Sequence, residues 1–342
     1  MPTSFTYRIA ASYSAKGRRF NPRTDFFSFD PLKQPEPADL TARQRPRSGQ
    51  DAFFVSNIGR SANVAFGVAD GVGGWSDMGI DSAHFSHGLC ESMSHIARAM
   101  DLKDEDWTNT SSLLWRGYDR VIEDQTIEGG GTTACIAIGS NDGSLEVANL
   151  GDSGFVQLRP NAVYYSSNPQ THAFNTPYQL SIIPPKVLAR SKIFGGQPLR
   201  DYPRDASITN HQVKHGDVLV FATDGVWDNL SPADLLKIVS KYMTDFGAWK
   251  IDDNGLSVSK DLKAITDIRG PNRSPDNSIQ TLVAVSITAE AKMASINTKR
   301  DGPFAKEVKK FFPNEDYHGG KVDDICVVVA VVVEDATQEL DS

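Results

Sequence analysis

Aspartates stand at the ends of four apolar segments that have the length of buried strands. Asp70, Asp152 and Asp224 each follow such a segment, and Asp323 precedes another. In an antiparallel sheet the end of one strand lies beside the start of its neighbour, so these carboxylates can meet at one edge. Clustered carboxylates repel one another unless a cation is present, and their hard oxygen atoms favour Mg²⁺ or Mn²⁺. The pattern therefore predicts a two-metal site that could activate a water for attack on a phosphate.

The same residues also allow a simpler interpretation. Asp70 and Asp224 are each followed by glycine, and an Asp-Gly pair at a strand end is first of all a turn signal. We expect turns alone at Asp142-Gly143 and Asp301-Gly302. The repeated placement of aspartates at strand ends, rather than any single pair, favours the metal site.

The segments that would position these aspartates carry distinct strand and helix patterns. Residues 5–13 alternate between apolar and polar side chains, which is the period of a half-buried strand. Further strands are predicted at 52–56, 63–69, 132–139, 145–150, 154–159, 162–166, 217–222 and 325–333. Helices are predicted near 84–100 and 111–124, after Ser231-Pro232, after Ser274-Pro275, and at 303–312, whereas 168–205 is expected to be irregular.

The order of these elements predicts an α+β fold of two antiparallel sheets flanked by helices. Strands come as an early pair, a central meander and two late members, which is not the regular alternation of a doubly wound sheet. We expect one domain over residues 1–333 and an acidic tail at 334–342.

Composition narrows the function classes. The chain has 342 residues and a net charge of −8, which argues against a nucleic-acid partner because phosphate binding needs concentrated Lys and Arg. Three widely spaced cysteines in apolar segments are expected to be buried thiols in a reducing compartment. No stretch reaches the length of a membrane span. Residues 1–24 are basic and lack acidic side chains, as in a transit peptide, but their alternation favours a strand.

Five motifs in order then resemble those of one family, the metal-dependent type-2C Ser/Thr protein phosphatases. They are Val68-Ala-Asp70-Gly71-Val-Gly73-Gly74, Gly131-Thr132-Thr133-Ala134, Asn149-Leu-Gly151-Asp152-Ser153, Ala222-Thr-Asp224-Gly225-Val-Trp-Asp228 and Asp323-Asp324-Ile-Cys-Val. Gly73-Gly74-Trp75 and the stretch from Phe174 to Leu180 are similar to the mitochondrial branch. The resemblance implies a two-sheet β-sandwich flanked by α-helices and a binuclear Mg²⁺ or Mn²⁺ site.

The resemblance also implies roles for individual residues. Asp70 would bridge both ions, the Gly71 carbonyl would bind one, and Asp224 and Asp323 would hold the other. Asp51 would act through a water on an ion. Asp152 and Asp228, with Asp224, match the positions of a weaker third metal site in some members.

Three positions depart from the family pattern. Gln50 replaces the usual Glu of an acidic pair, so an amide oxygen would ligate there and that ion should bind less tightly. Val72 replaces a His proposed as general acid, and valine cannot donate a proton. Where many family members carry an Arg that binds the phosphate, this sequence has Pro46. Arg43, Arg45 and Arg47 are therefore the candidates for that role, with Arg47 preferred.

These expectations lead to a function. The chain is predicted to hydrolyse phosphoserine and phosphothreonine in phosphoproteins directly, without a covalent enzyme intermediate. Gln50 motivates the alternative of a catalytically weakened regulator that binds phosphoproteins, and a two-metal nuclease is a further alternative that the acidic charge disfavours. The resemblance implies a mitochondrial location, with the cytoplasm as the alternative. The sequence leaves the oligomeric state open.

Overall fold

The computed structural model describes residues 4–31, 45–100, 109–194, 198–252, 255–269 and 274–335. Its strands are β1 (Ser4–Ser14), β2 (Phe26–Ser28), β3 (Asp51–Asn57), β4 (Val64–Asp70), β5 (Gly130–Thr132), β6 (Ala134–Gly139), β7 (Ser144–Leu150), β8 (Gly154–Arg159), β9 (Ala162–Ser166), β10 (Thr171–Ala173), β11 (Thr176–Pro177), β12 (Leu180–Ile182), β13 (Ser207–Gln212), β14 (Val218–Ala222), β15 (Trp249–Asp252), β16 (Gly255–Val258) and β17 (Ile325–Asp335). Its α-helices are α1 (Ala83–Ala99), α2 (Thr110–Glu123), α3 (Pro185–Phe194), α4 (Asp224–Trp227), α5 (Pro232–Asp245), α6 (Leu262–Thr266), α7 (Ile279–Ser295) and α8 (Pro303–Phe311). Among the described helices, none is long and apolar enough to span a membrane.

Two antiparallel sheets form the centre of the fold. One has the order β2-β1-β17-β14-β8-β9 and the other the order β13-β7-β6-β4-β3. Their inner faces share a hydrophobic core that includes Phe66, Phe155 and Phe221, whose rings contact one another. The predicted α+β class, with two antiparallel sheets and flanking helices, is confirmed.

The position of the last strand, β17, explains why its sequence is apolar without interruption. Successive residues of β17 point to opposite faces, and both faces are buried. Val328, Ala330 and Val332 lie in the core between the sheets, whereas Val327 and Val329 pack under α5 and α7 on the outer face. A strand buried on both faces requires apolar side chains at every position.

A second outer layer covers the other sheet. Leu89 and Met93 of α1 pack with Leu113 and Tyr118 of α2 against the outer face of β3, β4 and β6. The fold is therefore helices, sheet, sheet, helices, and the strand ends emerge at the rims between these layers.

Most predicted elements are present, and the structure contains several that were not predicted. The stretch 168–205 contains β10, β11, β12 and α3 rather than only irregular chain. The helix expected after Ser274-Pro275 begins at Ile279, where the Ser278 side chain accepts from the Thr281 amide, because Pro275 starts only a short 3-10 turn. The strands β2 and β13, the hairpin of β15 and β16, and the short helices α4 and α6 were not predicted. All three cysteines are buried thiols, as expected.

Candidate functional site

Six aspartates on different elements lie at one edge of the sandwich and form what we call the carboxylate cluster: Asp51, Asp70, Asp152, Asp224, Asp228 and Asp323. Antiparallel register places Asp51 of β3 directly opposite Asp70 of β4. Asp224 begins α4 after β14, and Asp323 comes just before β17. Burial raises the pKa of Asp70 well above its ordinary value, and the charges of Asp224, Asp51 and Asp152 raise it further. The structure thus brings the strand-end carboxylates close together at one edge of the sandwich, as the sequence predicts.

Asp51 is the most deeply buried member of the cluster, with 1% of its surface exposed. The Thr223 hydroxyl donates to Asp51 Oδ2 over 2.7 Å, but Oδ1 has no hydrogen-bond partner among the described residues. Burial raises the pKa of Asp51 well above its ordinary value, and the nearby Asp324 carboxylate raises it further. A buried carboxylate oxygen without a partner is costly, and a bound cation or a proton would relieve that cost.

Lys321 supplies a cation to the opposite side of the cluster. Its Nζ lies 2.6 Å from Asp224 Oδ2, 2.6 Å from Asp228 Oδ2 and 3.4 Å from Asp323 Oδ2. It also donates to Asn175 Oδ1 over 3.2 Å. Burial opposes the charge of Lys321, but the surrounding aspartates outweigh burial and raise its pKa. The ammonium group therefore remains protonated among these carboxylates.

Contacts outside the cluster fix the backbone of Lys321. The buried Asn229 side chain donates to the Lys321 carbonyl over 2.8 Å and accepts from its amide over 3.0 Å. The ammonium group also lies 5.1 Å from the centre of the Phe304 ring. The position of Lys321 is thus set by its neighbours as well as by its ion pairs.

Neighbouring charges also affect the remaining members of the cluster. Burial and the charge of Asp224 raise the pKa of Asp152 to about 7, although Lys321 opposes the shift. Burial and Asp224 likewise raise the pKa of Asp228. Lys16 Nζ lies 3.4 Å from Asp323 Oδ1, on the outer side of the cluster.

Two glycines allow neighbouring backbone segments to approach one another closely at this edge. A Cβ at Gly71 would lie 2.8 Å from the Gln50 carbonyl oxygen, and the Gly71 amide donates to that same oxygen. A Cβ at Gly225 would collide with the Asp324 carbonyl. Any larger residue would push the aspartate-bearing turns apart, which gives both Asp-Gly pairs a role beyond turning the chain.

The donor chemistry of the cluster fits divalent ions. It offers carboxylate oxygens that raise one another's pKa and one buried oxygen without a partner, which suits a hard cation. In the part of the chain that the structure describes, no three Asp, Glu, His or Cys side chains already surround one point as a ligand set. The ammonium group of Lys321 lies between Asp224 and Asp228.

Other predicted residues lie around the cluster. The Gln50 amide donates to Asp324 Oδ2 over 2.8 Å, and its side-chain nitrogen lies 3.5 Å from Ser76 Oγ. Val72 is apolar and its carbonyl accepts from Ser82. Arg45 lies 3.1 Å from His84 Nδ1, whereas Arg47 lines a separate polar cavity. Arg43 lies outside the described residues.

Sequence reasoning missed Lys321 and Asp324. Lys321 comes two residues before Asp323, and a lysine so close to an aspartate pair was the available signal. Asp324 was quoted in a motif without a role, yet its carboxylate accepts from the amides of Gln50 and Lys16 and so ties three segments together.

Comparisons with known proteins agree on one family. The family model for Protein phosphatase 2C matches residues 41–264. Protein phosphatase 2C homolog 7, mitochondrial, of Saccharomyces cerevisiae is 31% identical over 330 residues, which is 96% of this chain and 83% of that protein. Protein phosphatase PTC7 homolog fig of Drosophila grimshawi is 34% identical over 293 residues, 85% of this chain and 81% of that one. The X-ray structure of the photosystem II phosphatase PBCP has the same fold, with a TM-score of 0.62, 23% identity, and coverage of 95% of this chain and 98% of that one.

Proposed function

Because the chain belongs to the protein phosphatase 2C family and is thereby a phosphoprotein phosphatase, we propose that it hydrolyses phosphoserine and phosphothreonine at the carboxylate cluster with two Mg²⁺ or Mn²⁺ ions. The observation that carries the proposal is the convergence of aspartates from β3, β4, the turn after β7, α4 and the start of β17. Such ions supply an activated water and charge stabilisation for in-line attack on a phosphate.

The residues that would hold these ions are Asp70, the Gly71 carbonyl, Asp224 and Asp323, with Gln50 and Asp51 beside them. Thr223 holds Asp51 in place, and Asp51 Oδ1, which has no partner in the described part of the chain, can accept a proton or a hydrogen bond from water. Asp152 and Asp228 would hold a third, weaker ion only when Lys321 moves away from Asp228. Val72 offers no proton, so the protein supplies no general acid at that position.

The direct test measures phosphate release from phosphoserine and phosphothreonine peptides with and without Mn²⁺. We expect turnover that requires the metal and that a chelator abolishes. Asp224→Asn should remove it while the protein stays folded, and Asp142→Asn, in an exposed hairpin turn, serves as the matched control. A folded protein without activity at saturating Mn²⁺ would favour the regulator, and cleavage of nucleic acid instead would favour the nuclease.

We also infer a mitochondrial location, which the name of the yeast relative supports. Imaging of the tagged full-length protein against organelle markers tests this inference. A uniform cytoplasmic signal would contradict it.

A further inference from the structure

A small polar cavity of about 100 Å³ lies at the end of β1. The residues that line it are Ser14, Ala15, Arg18, Arg19, Asn21, Thr24, Asp25 and Arg47. Arg18 and Arg19 follow β1, whereas Arg47 precedes β3, so two separate segments bring guanidinium groups to one cavity. No member of the carboxylate cluster lines it.

The three arginines carry charge that the described part of the chain does not neutralise. None of them forms an ion pair with a described carboxylate. Asp25 also lines the cavity, but it binds its own turn: one oxygen accepts from the Asn21 amide over 2.8 Å and the other from Thr24 Oγ1 over 3.0 Å. Among the described residues that line it, the cavity therefore has an excess of positive charge.

Ser14 provides an independent observation at the same cavity. It is 2% exposed, and its hydroxyl has no hydrogen-bond partner among the described residues. A buried hydroxyl without a partner costs free energy, which a bound acceptor would recover. Guanidinium groups and a hydroxyl are donors suited to a tetrahedral oxyanion, and arginine matches phosphate geometry particularly well.

The cavity opens at the same edge of the sheet as the carboxylate cluster. The register of β1 and β17 places Ser14 opposite Ile325, which directly follows Asp323 and Asp324. Lys16, between the cavity and the cluster, has its Nζ 3.4 Å from Asp323 Oδ1. An extended peptide advances roughly 3.3–3.6 Å per residue, so one substrate segment of a few residues can reach both places.

We propose that this cavity binds a phosphate dianion that is not the one hydrolysed. Its occupant is either a second phosphate on the substrate chain or free inorganic phosphate, and the substrate role rests on the proposed phosphatase function. Arg18, Arg19 and Arg47 hold the charge, and Ser14 donates to an oxygen that faces the sheet.

The first experiment measures binding alone. The full-length protein, stripped of divalent metal by a chelating resin, is titrated with inorganic phosphate and followed by calorimetry and ³¹P NMR. We expect saturable binding that the double substitution Arg18→Gln, Arg19→Gln weakens by about tenfold or more. Arg23→Gln, an exposed neighbour that does not line the cavity, should leave it unchanged. Absent binding, or equal binding in the double variant, would overturn the proposal.

Ser14→Ala keeps the test independent of surface charge. It removes a hydroxyl that has no partner among the described residues, so its thermal midpoint should equal or exceed that of the parent while phosphate binding weakens. A variant that loses stability yet binds phosphate normally would assign Ser14 to the fold and contradict its part in the site.

The second experiment separates the two sources of phosphate. Peptides with one phosphoserine, or with two at spacings from one to six residues, are compared by kcat/KM with Mn²⁺. If the substrate supplies the phosphate, one spacing should be preferred by about tenfold, and the arginine double variant should lose that preference but keep turnover of the singly phosphorylated peptide. Equal rates at every spacing would overturn the substrate role and leave free phosphate as the ligand. Absent turnover of every peptide would instead contradict the proposed function, because the binding measurement does not depend on it.

Discussion

The two sides of the carboxylate cluster differ in how the repulsion between their buried carboxylates is offset. Around Asp51 and Asp70 the described residues provide one hydroxyl donor, from Thr223 to Asp51, but no ion pair, and one buried oxygen of Asp51 has no partner among them. Around Asp224 and Asp228 the ammonium group of Lys321 lies between the carboxylates at 2.6 Å from each. In the described chain one side therefore has an ammonium group among its carboxylates, whereas the other has none and is the side where we expect an external cation to bind.

This difference indicates how the two sides should respond to metal. Divalent ions at the Asp51 and Asp70 side relieve repulsion that nothing in the described chain offsets, so binding there gains the full attraction. An ion near Asp228 must compete with Lys321, which is held by Asn229 as well as by its ion pairs. We expect tight binding on the first side and weak binding on the second.

Asp70→Asn should have the largest effect, because it removes a carboxylate from the side that lacks an internal cation. Loss of residues that only support metal ligands costs about 10- to 100-fold, so loss of this carboxylate should lower kcat/KM by more than about 100-fold. Phosphopeptide turnover with Mn²⁺ measures this effect. Asp119→Asn, exposed on α2, is the control, and comparable activity in the two variants would contradict the site.

Lys321→Met should destabilise the metal-free protein, because it leaves the carboxylates around Asp224 without their ammonium. Removing one partner of a buried ion pair costs about 3–5 kcal/mol, and this pair is slightly exposed, so we expect about 3 kcal/mol by urea unfolding. The variant should also bind one additional Mn²⁺ ion per chain, which calorimetry measures. Lys309→Met, in an exposed ion pair, should cost less than about 1 kcal/mol. An unchanged metal stoichiometry would show that Lys321 does not compete with metal.

Asp51→Asn should shift stability in the opposite direction. A carboxyl whose pKa is raised in the folded state prefers to be protonated there, so it destabilises the metal-free fold increasingly as pH rises above its ordinary pKa near 3.8. Asn keeps a neutral side chain of similar shape, and the metal-free variant should be about 1–3 kcal/mol more stable at pH 7 but nearly equal at pH 4. Urea unfolding at both pH values provides the measurement. A variant that is less stable at pH 7 would indicate that a cation already compensates Asp51 in the chain.

Gln50→Glu should have the smallest effect. It adds a carboxylate beside Asp51, which should lower the Kd for Mn²⁺ by about tenfold or less. Calorimetry on the parent and the variant compares the two affinities, and Gln212→Glu, on an edge strand, is the control for added charge. Weaker binding in the Gln50 variant would mean that this side chain does not face the ions.

The sequence predicts the carboxylate cluster better than it predicts the residues around it. Strand-end aspartates could be recognised because β4, β14 and β17 are strongly apolar and bounded by Asp-Gly or Asp-Asp. Lys321 was harder to recognise, because its nearness to Asp323 was the one local signal and its two shortest ion pairs, with Asp224 and Asp228, join residues more than ninety positions apart. β13 was missed for a similar reason: its residues, Ser207 to Gln212, are mostly polar and exposed at a sheet edge, so tertiary pairing with β7 rather than propensity determines the strand.

The position of β17 has a consequence for how the protein is made. This late strand lies between β1 and β14, and it pairs with β1 along eleven residues although more than three hundred positions separate them. Contacts of such sequence separation close slowly, and during synthesis β1 has no partner on that side until β17 emerges. Asp323 lies two residues before this strand, so the carboxylate cluster is not complete until β17 has joined the sheet. If the proposed site is correct, a nascent chain is expected to lack phosphatase activity until this strand is inserted.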